Sequence, residues 1–113
     1  MKTLRDGVMI EDVVIGQGKV ANKGLKIQIL YKATLASNGK EFEAKMDRKN
    51  PFGLRLGIGN SIQGLDIGIE GMCVGGKRII SIPSKVGFGE KGNGQKVPPN
   101  ADLIYEVELV KVR

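Results

Sequence analysis

A chain of 113 residues is enough for one domain with a single modest core. Its 18 Lys and Arg against 12 Asp and Glu leave +6, scattered in ones and twos with Arg48-Lys49 and Lys77-Arg78 the densest pairs; with no aromatic residues between them, they read as a solvated surface rather than a nucleic-acid footprint. With no histidine and one cysteine, the chain lacks the usual general base, the Ser-His and Cys-His nucleophile pairs, most catalytic zinc sites and any structural zinc site.

In chain order, Met1 to Gly7 is polar and reads as an arm or linker end, so the expected domain runs over residues 8–113. Val8 to Val14 can form a strand, closed by a turn at Gly16-Gln17-Gly18, and Ala21 to Gly24 is a second turn. Leu25 to Ala36 carries the cleanest pattern. Leu25, Ile27, Ile29, Tyr31, Ala33 and Leu35 alternate with Lys26, Gln28, Leu30, Lys32 and Thr34, the mark of a long half-buried strand. Asn38-Gly39 is a hairpin signal, and Lys40 to Met46 follows as the partner strand with Phe42, Ala44 and Met46 on one face. After the charged loop Asp47 to Asn50 and Pro51, Phe52, Leu54 and Leu56 alternate again.

Asn60 to Arg78 is the stretch around which the rest is organised. Ile62, Leu65, Ile69 and Met72 stack on one side of a 3.6-residue helix. Gln63, Asp66 and Glu70 form a wet side, and Gly64, Gly68 and Gly71 a smooth strip that a backbone can approach. Asn60 or Ser61 can cap the start and Gly75-Gly76 can stop the helix. Its internal glycines cost roughly 1 kcal/mol each relative to alanine, so a sheet must clamp it. Cys73, between Met72 and Val74, reads as a small buried hydrophobe, and its lack of a partner fits a reducing compartment.

Lys77 to Ile82 is a short strand ended by Pro83, and Ala101 to Val112 is the last, with Leu103, Tyr105, Val107 and Leu109 inward and Glu106 and Glu108 outward. Between them Ser84 to Asn100 reads as a long loop without regular structure, but its Val86, Phe88 and Val97 predict that it folds over a site. The fold class is α+β, an antiparallel sheet of five or six strands around one short helix. No apolar run approaches the roughly 18 residues of a bilayer span, and the Met1 end is too polar for a signal peptide. The expectation is a soluble intracellular chain, or a fragment of a larger protein.

Few reactions remain. Gly57-Ile58-Gly59 lacks the spacing and the Gly-Lys ending of a phosphate loop. The carboxylate pairs Glu11-Asp12, Asp66/Glu70 and Glu106/Glu108 read as solvated faces. Rotation about an X-Pro peptide bond needs no titratable catalyst. It breaks no bond, yet amide resonance sets a barrier of roughly 18–20 kcal/mol. Apolar walls that hold the twisted amide, with one or two donors to its carbonyl, lower that barrier.

The segments GKEFEAKMDRKNPFGLRLG, SIQGLDIGIEGMCVGGKR and VPPNADLIYEVELVKV resemble an FKBP domain, the FK506-binding class of peptidyl-prolyl isomerases, over about Val8 to Arg113. The resemblance implies a half-barrel sheet wrapping one helix, a monomeric domain, no cofactor and no metal. TLRDGVMIEDVVIGQG also resembles the start of the carboxy-terminal domains of multidomain nuclear FKBPs of plants and insects, which implies a nuclear location, with the cytoplasm as alternative. Implied partners are proline-containing protein segments, histone tails among them, and the macrolides tacrolimus and rapamycin at weakened affinity.

Carried over residue by residue, the resemblance makes Tyr31, Phe42, Glu43, Phe88 and Tyr105 the catalytic positions. Phe52, Ser61, Ile62, Leu65 and Val97 become the ligand-binding ones, with the Ile62 backbone amide meeting a ligand carbonyl. Four positions depart from the strongest isomerases of the family. Leu65 stands where Trp is usual, Glu43 where Asp is, Phe88 where a hydrogen-bonding Tyr is, and Ser61 where an aliphatic residue is common. These departures imply a proline isomerase of reduced activity, or alternatively a binding or chaperone module that keeps the pocket but turns over little.

Overall fold

The computed structural model describes residues 1–113. Strands β1 (Lys2–Thr3), β2 (Met9–Val14), β3 (Lys26–Leu35), β4 (Glu41–Lys45), β5 (Phe52–Arg55), β6 (Lys77–Ile82) and β7 (Leu103–Val112) form one antiparallel sheet in the order β1-β2-β6-β7-β3-β4. β5 also pairs with β3, beside β4 and along the same edge. The one helix, α1 (Gln63–Ile69), packs across β6. No helix is long and apolar enough to cross a membrane.

β3 organises the sheet because its apolar residues recur every second position and so fall on one face. Ile27, Ile29, Tyr31, Ala33 and Leu35 are all buried, facing the same core as Leu103, Tyr105, Val107 and Leu109 of β7 and Ile80 and Ile82 of β6. Leu30 departs from its expected polar face. It points to the other side of the sheet yet is 2% exposed. There it shares a hollow with Met46, Val13 and Ile79, beside Glu108, whose carboxylate receives Arg48 at 2.6 and 2.7 Å.

Gly64 and Gly68 are where α1 meets β6. A Cβ on either would collide with the side chain of Ile82 or Ile80, so the close approach requires glycine. Gly71 does not extend that strip. It has φ +91° and open space around it, and turns the chain after the helix ends at Ile69. The helix therefore stops well before Gly75-Gly76. Its N-cap is Ile62 with no side-chain cap, because Asn60 Oδ1 instead accepts the Arg55 N–H at 2.9 Å. Leu65, Ile69 and Met72 are buried as the periodicity predicts, Ile62 is half-buried, and Ile67 joins the core.

Arg78 corrects the picture of a solvated basic pair. It is 8% exposed. Its Nε donates to Asp12 Oδ1 on β2 at 2.7 Å, and its Nη1 donates to the carbonyls of Gly68 and Glu70 at 2.9 and 3.3 Å. A cation on the last carbonyls of a helix satisfies orphan acceptors and complements the negative end of its dipole. Cys73 is only half-buried, with its backbone bridged to Val20.

Candidate active site

A β-bulge sets the geometry of the site. β4 pairs Ala33 with Glu43 and then Thr34 with Glu41, so Phe42 is an extra residue on its strand. The bulge breaks the expected alternation. Phe42 is turned inward and 8% exposed, whereas Met46 is 58% exposed on the far side. Glu43, which strict alternation places opposite Phe42, reaches the same side as Tyr31.

Tyr31 leaves β3 two positions beyond Ile29, whose partner on β5 is Phe52, and Tyr105 sits opposite Ala33 on β7. These registers bring aromatic rings into one chain. Tyr31 and Phe52 meet edge to face with centroids 5.6 Å apart, and Tyr31 and Tyr105 lie 5.7 Å apart at 31°. Phe42 meets Tyr105 at 6.2 Å and Phe88 at 6.3 Å, both edge to face. These are favourable aromatic geometries. The protein has only three Phe, two Tyr and no Trp, so every aromatic side chain it owns is in this cluster.

The rings wall a cleft of about 220 Å³ lined by Tyr31, Glu43, Phe52, Asn60, Ser61, Ile62, Leu65, Phe88 and Tyr105. Leu65 from α1 is its buried floor. Eight of the ten residues singled out in the sequence thus line one cleft. The other two, Phe42 and Val97, line an adjoining recess with Glu43, Ala44 and the stretch Asn93 to Lys96. Val97 is held there by reciprocal backbone bonds with Asn93, and the segment from Ser84 to Asn100 is not irregular throughout, since it contains single 3-10 turns at Ser84–Val86 and Gly89–Lys91. Asn60 was missed as a lining residue. Nothing in its sequence context separates a cap from an asparagine that closes a turn back on Arg55.

The polar groups at the cleft are few. The Ile62 N–H has no acceptor within the chain, although its carbonyl receives the N–H groups of Leu65 and Asp66. The Ser61 hydroxyl donates to that same carbonyl at 3.5 Å. Burial, reinforced by the Glu43 carboxylate, pushes the Tyr31 hydroxyl up to about 12. Burial raises Tyr105 further, with Glu43 and Tyr31 adding to it. Both hydroxyls therefore stay protonated as donors. Glu43 acts on Tyr31 through its charge and side-chain hydrogen bonding, and on Tyr105 through its charge. Lys45 Nζ lies 6.0 Å from the Phe52 ring centroid at the rim. An aromatic cleft with a free backbone donor and no nucleophile can bind and distort a ligand.

The model of the FKBP-type peptidyl-prolyl cis-trans isomerase family matches residues 17–110. The chain belongs to this family and is a peptidyl-prolyl cis-trans isomerase by that membership. An "FK506-binding protein" of Neisseria meningitidis serogroup B is 47% identical over 94% of this chain and 96% of its own. The "39 kDa FK506-binding nuclear protein" of Drosophila melanogaster is 41% identical over 98% of this chain, which spans 31% of that protein. "Peptidyl-prolyl cis-trans isomerase FKBP53" of Arabidopsis thaliana is likewise 41% identical, over 100% of this chain and 24% of its own length. The crystal structure of AtFKBP13 superposes with a TM-score of 0.86 at 33% identity, covering 98% of this chain and 97% of that one.

Proposed function

We propose that the aromatic cleft turns over X-Pro bonds in flexible protein segments, and does so more slowly than family members with Trp and Tyr at the positions of Leu65 and Phe88. The observation that carries this is the gathering of four of the five aromatic rings around one cleft, with Phe42 packed behind them and the unpaired Ile62 N–H at its wall. The prolyl ring seats on Leu65 between Tyr31, Phe52 and Tyr105. An amide twisted out of plane has lost its resonance and much of its charge separation, so apolar walls favour it over the planar ground state. The Ile62 N–H donates to the carbonyl that remains fixed, and the protonated tyrosine hydroxyls supply donors to the rotating one. Glu43 adds to the burial that raises both hydroxyls. Phe42, Phe88 and Val97 close the far side, and Ser61 orients the Ile62 carbonyl.

Residues 8–113 are the catalytic unit on this account, with residues 1–7 a short extension on the sheet edge. Tacrolimus and rapamycin occupy the same cleft at reduced affinity, since a Phe at position 88 offers no hydroxyl. The insect relative's name supports a nuclear location, whereas the bacterial relative comes from a cell without a nucleus, so the cytoplasm stands as the alternative. A nucleus supplies histone tails as proline-bearing segments, but these are basic and meet a protein of charge +6. Acidic segments are the better electrostatic match.

A second function stands beside this one, because Leu65 and Phe88 leave the cleft able to hold a segment with little turnover. A protease-coupled isomerisation assay over a series of X-Pro peptides separates the two. Acceleration that grows linearly with protein concentration and disappears in Tyr105→Ala supports the enzyme. Peptide binding without acceleration supports the binding module.

A further inference from the structure

Next to the cleft, on the other side of β5, lies a hollow of about 350 Å³ lined by Lys26, Ile27, Gln28, Gly53, Leu54, Arg55, Asn60 and Arg113. Its charge is one-sided. Lys26 on β3 is directly opposite Arg55 on β5, and the Arg113 backbone N–H donates to the Lys26 carbonyl at 2.8 Å, which brings a third basic residue to the same corner. Like charges directly opposite on an antiparallel pair repel. No carboxylate side chain lines the hollow, and the ion pairs of the protein use Arg5, Lys32, Arg48, Lys77 and Arg78 instead.

Arg55 is not free to swing away. Its Nη1 donates to the Gly24 carbonyl at 2.6 Å, and its backbone N–H to Asn60 Oδ1. A guanidinium has five donors in a fixed fork, so most of them remain for a ligand. Gln28 and the Asn60 amide add neutral donors. The hollow is thus built for an anion.

Its place relative to the cleft says which anion. Asn60 lines both spaces, and Phe52 of the cleft is followed immediately by Gly53 of the hollow. Phe52 and Gly53 face opposite sides of β5, and Gly53 has no side chain to raise the rim between them. Asn60 and the Phe52-Gly53 step therefore make the two spaces neighbours along β5.

We infer that the Lys26, Arg55 and Arg113 hollow is a specificity subsite that binds an Asp or Glu side chain of the substrate a few residues from its proline. This rests on the isomerase activity proposed for the cleft and names the segments that activity selects. It also places the recognised charge outside the hydrophobic cleft, where partly exposed cations act through attraction that salt screens.

The test uses three peptides with one Leu-Pro core, whose flanking positions two to four residues from the proline carry Glu, Gln or Lys. Isomerisation and peptide affinity are both measured at low and high salt, on the parent, Lys26→Gln, and Lys26→Gln with Arg55→Gln. The expected result is a kcat/KM about five- to tenfold higher for the Glu peptide than for the Gln peptide at low salt. That preference should shrink at high salt, and disappear in the double variant while turnover of the Gln peptide and the unfolding temperature stay at parent values. Lys26→Gln alone should retain part of it, which covers the case of a double variant that folds poorly. Equal rates and affinities for the three peptides overturn the subsite. So does a preference that survives loss of both cations, or cations that prove to hold an oligonucleotide while leaving peptide preference untouched. If no peptide is turned over, the isomerase account fails, and the affinity ratios still decide the subsite.

Discussion

Ile62 offers a way to remove a single atom from the proposed catalytic set. It stands just before α1 with φ −61° and ψ 145°, and its N–H bonds nothing in the chain. Proline fixes φ near −65° and lacks the N–H, so Ile62→Pro suits the native backbone and forfeits no intramolecular hydrogen bond. Loss of a donor to a full oxyanion slows enzymes by about 10²–10³, but the fixed carbonyl that the Ile62 N–H serves stays neutral. The neutral scale of about 0.5–1.5 kcal/mol applies instead, which is about two- to tenfold in kcat/KM. Ile62→Ala and Ile62→Val keep the N–H and account for the half-buried side chain. The assay is isomerisation of a Leu-Pro peptide, with thermal unfolding as the check on folding. If Ile62→Pro folds like the parent and is no slower than Ile62→Ala, the backbone amide is not a catalytic donor.

Leu65→Trp with Phe88→Tyr should raise isomerase activity and macrolide affinity several-fold, each change contributing on the order of 1 kcal/mol; the singles are needed because both act on one ligand. A folded double variant that gains nothing means the cleft is shaped differently from that of its relatives. Arg78→Met leaves Asp12 and the carbonyls of Gly68 and Glu70 without their cation, and with Asp12 31% exposed the cost should be about 2–3 kcal/mol in denaturant unfolding, below the range for a fully buried pair. An unchanged midpoint would remove Arg78 from the helix terminus. Because Tyr31 is held at about 12 and Tyr105 higher, the folded state keeps protons that the unfolded chain sheds near the ordinary value of 10.0. Stability should therefore be independent of these groups below pH 10 and fall as pH rises from 10 through about 12. Ultraviolet titration reads both residues without interference from Trp, and a tyrosinate transition near pH 10 in the folded protein would contradict the burial.

Much of this was legible in the chain because it depends on periodicity. β3 and β7 alternate cleanly, and the stripe of Leu65, Ile69 and Met72 marks the buried side of α1. The ten candidate site residues came from the resemblance to the family rather than from periodicity, and the fold brings eight of them to one cleft. What was not legible depends on breaks in register and on long-range partners. The bulge at Phe42 moved Glu43 to the Tyr31 side and Met46 to the far side, and no local residue pattern announces it. Leu30 on a face of Lys and Gln looked exposed, yet the Arg48–Glu108 pair, 60 residues apart in sequence, closes beside it. Arg78 looked like half of a surface doublet until the fold brought Asp12 and the end of α1 to it. The early stop of the helix at Ile69 rests on the turn at Gly71, which competes in sequence with the stronger-looking Gly75-Gly76.

The central claim is that this cleft catalyses rotation about X-Pro bonds, and exchange NMR on a Leu-Pro peptide with a small fraction of protein added measures it without a coupling protease. Uncatalysed rotation takes tens to hundreds of seconds, too slow for cross-peaks between the cis and trans proline signals. The account predicts that the protein produces those cross-peaks, that rapamycin abolishes them, and that the peptide's shift perturbations centre on Ile62, Leu65 and Phe88. Binding at those residues with the exchange rate left at its uncatalysed value would contradict it.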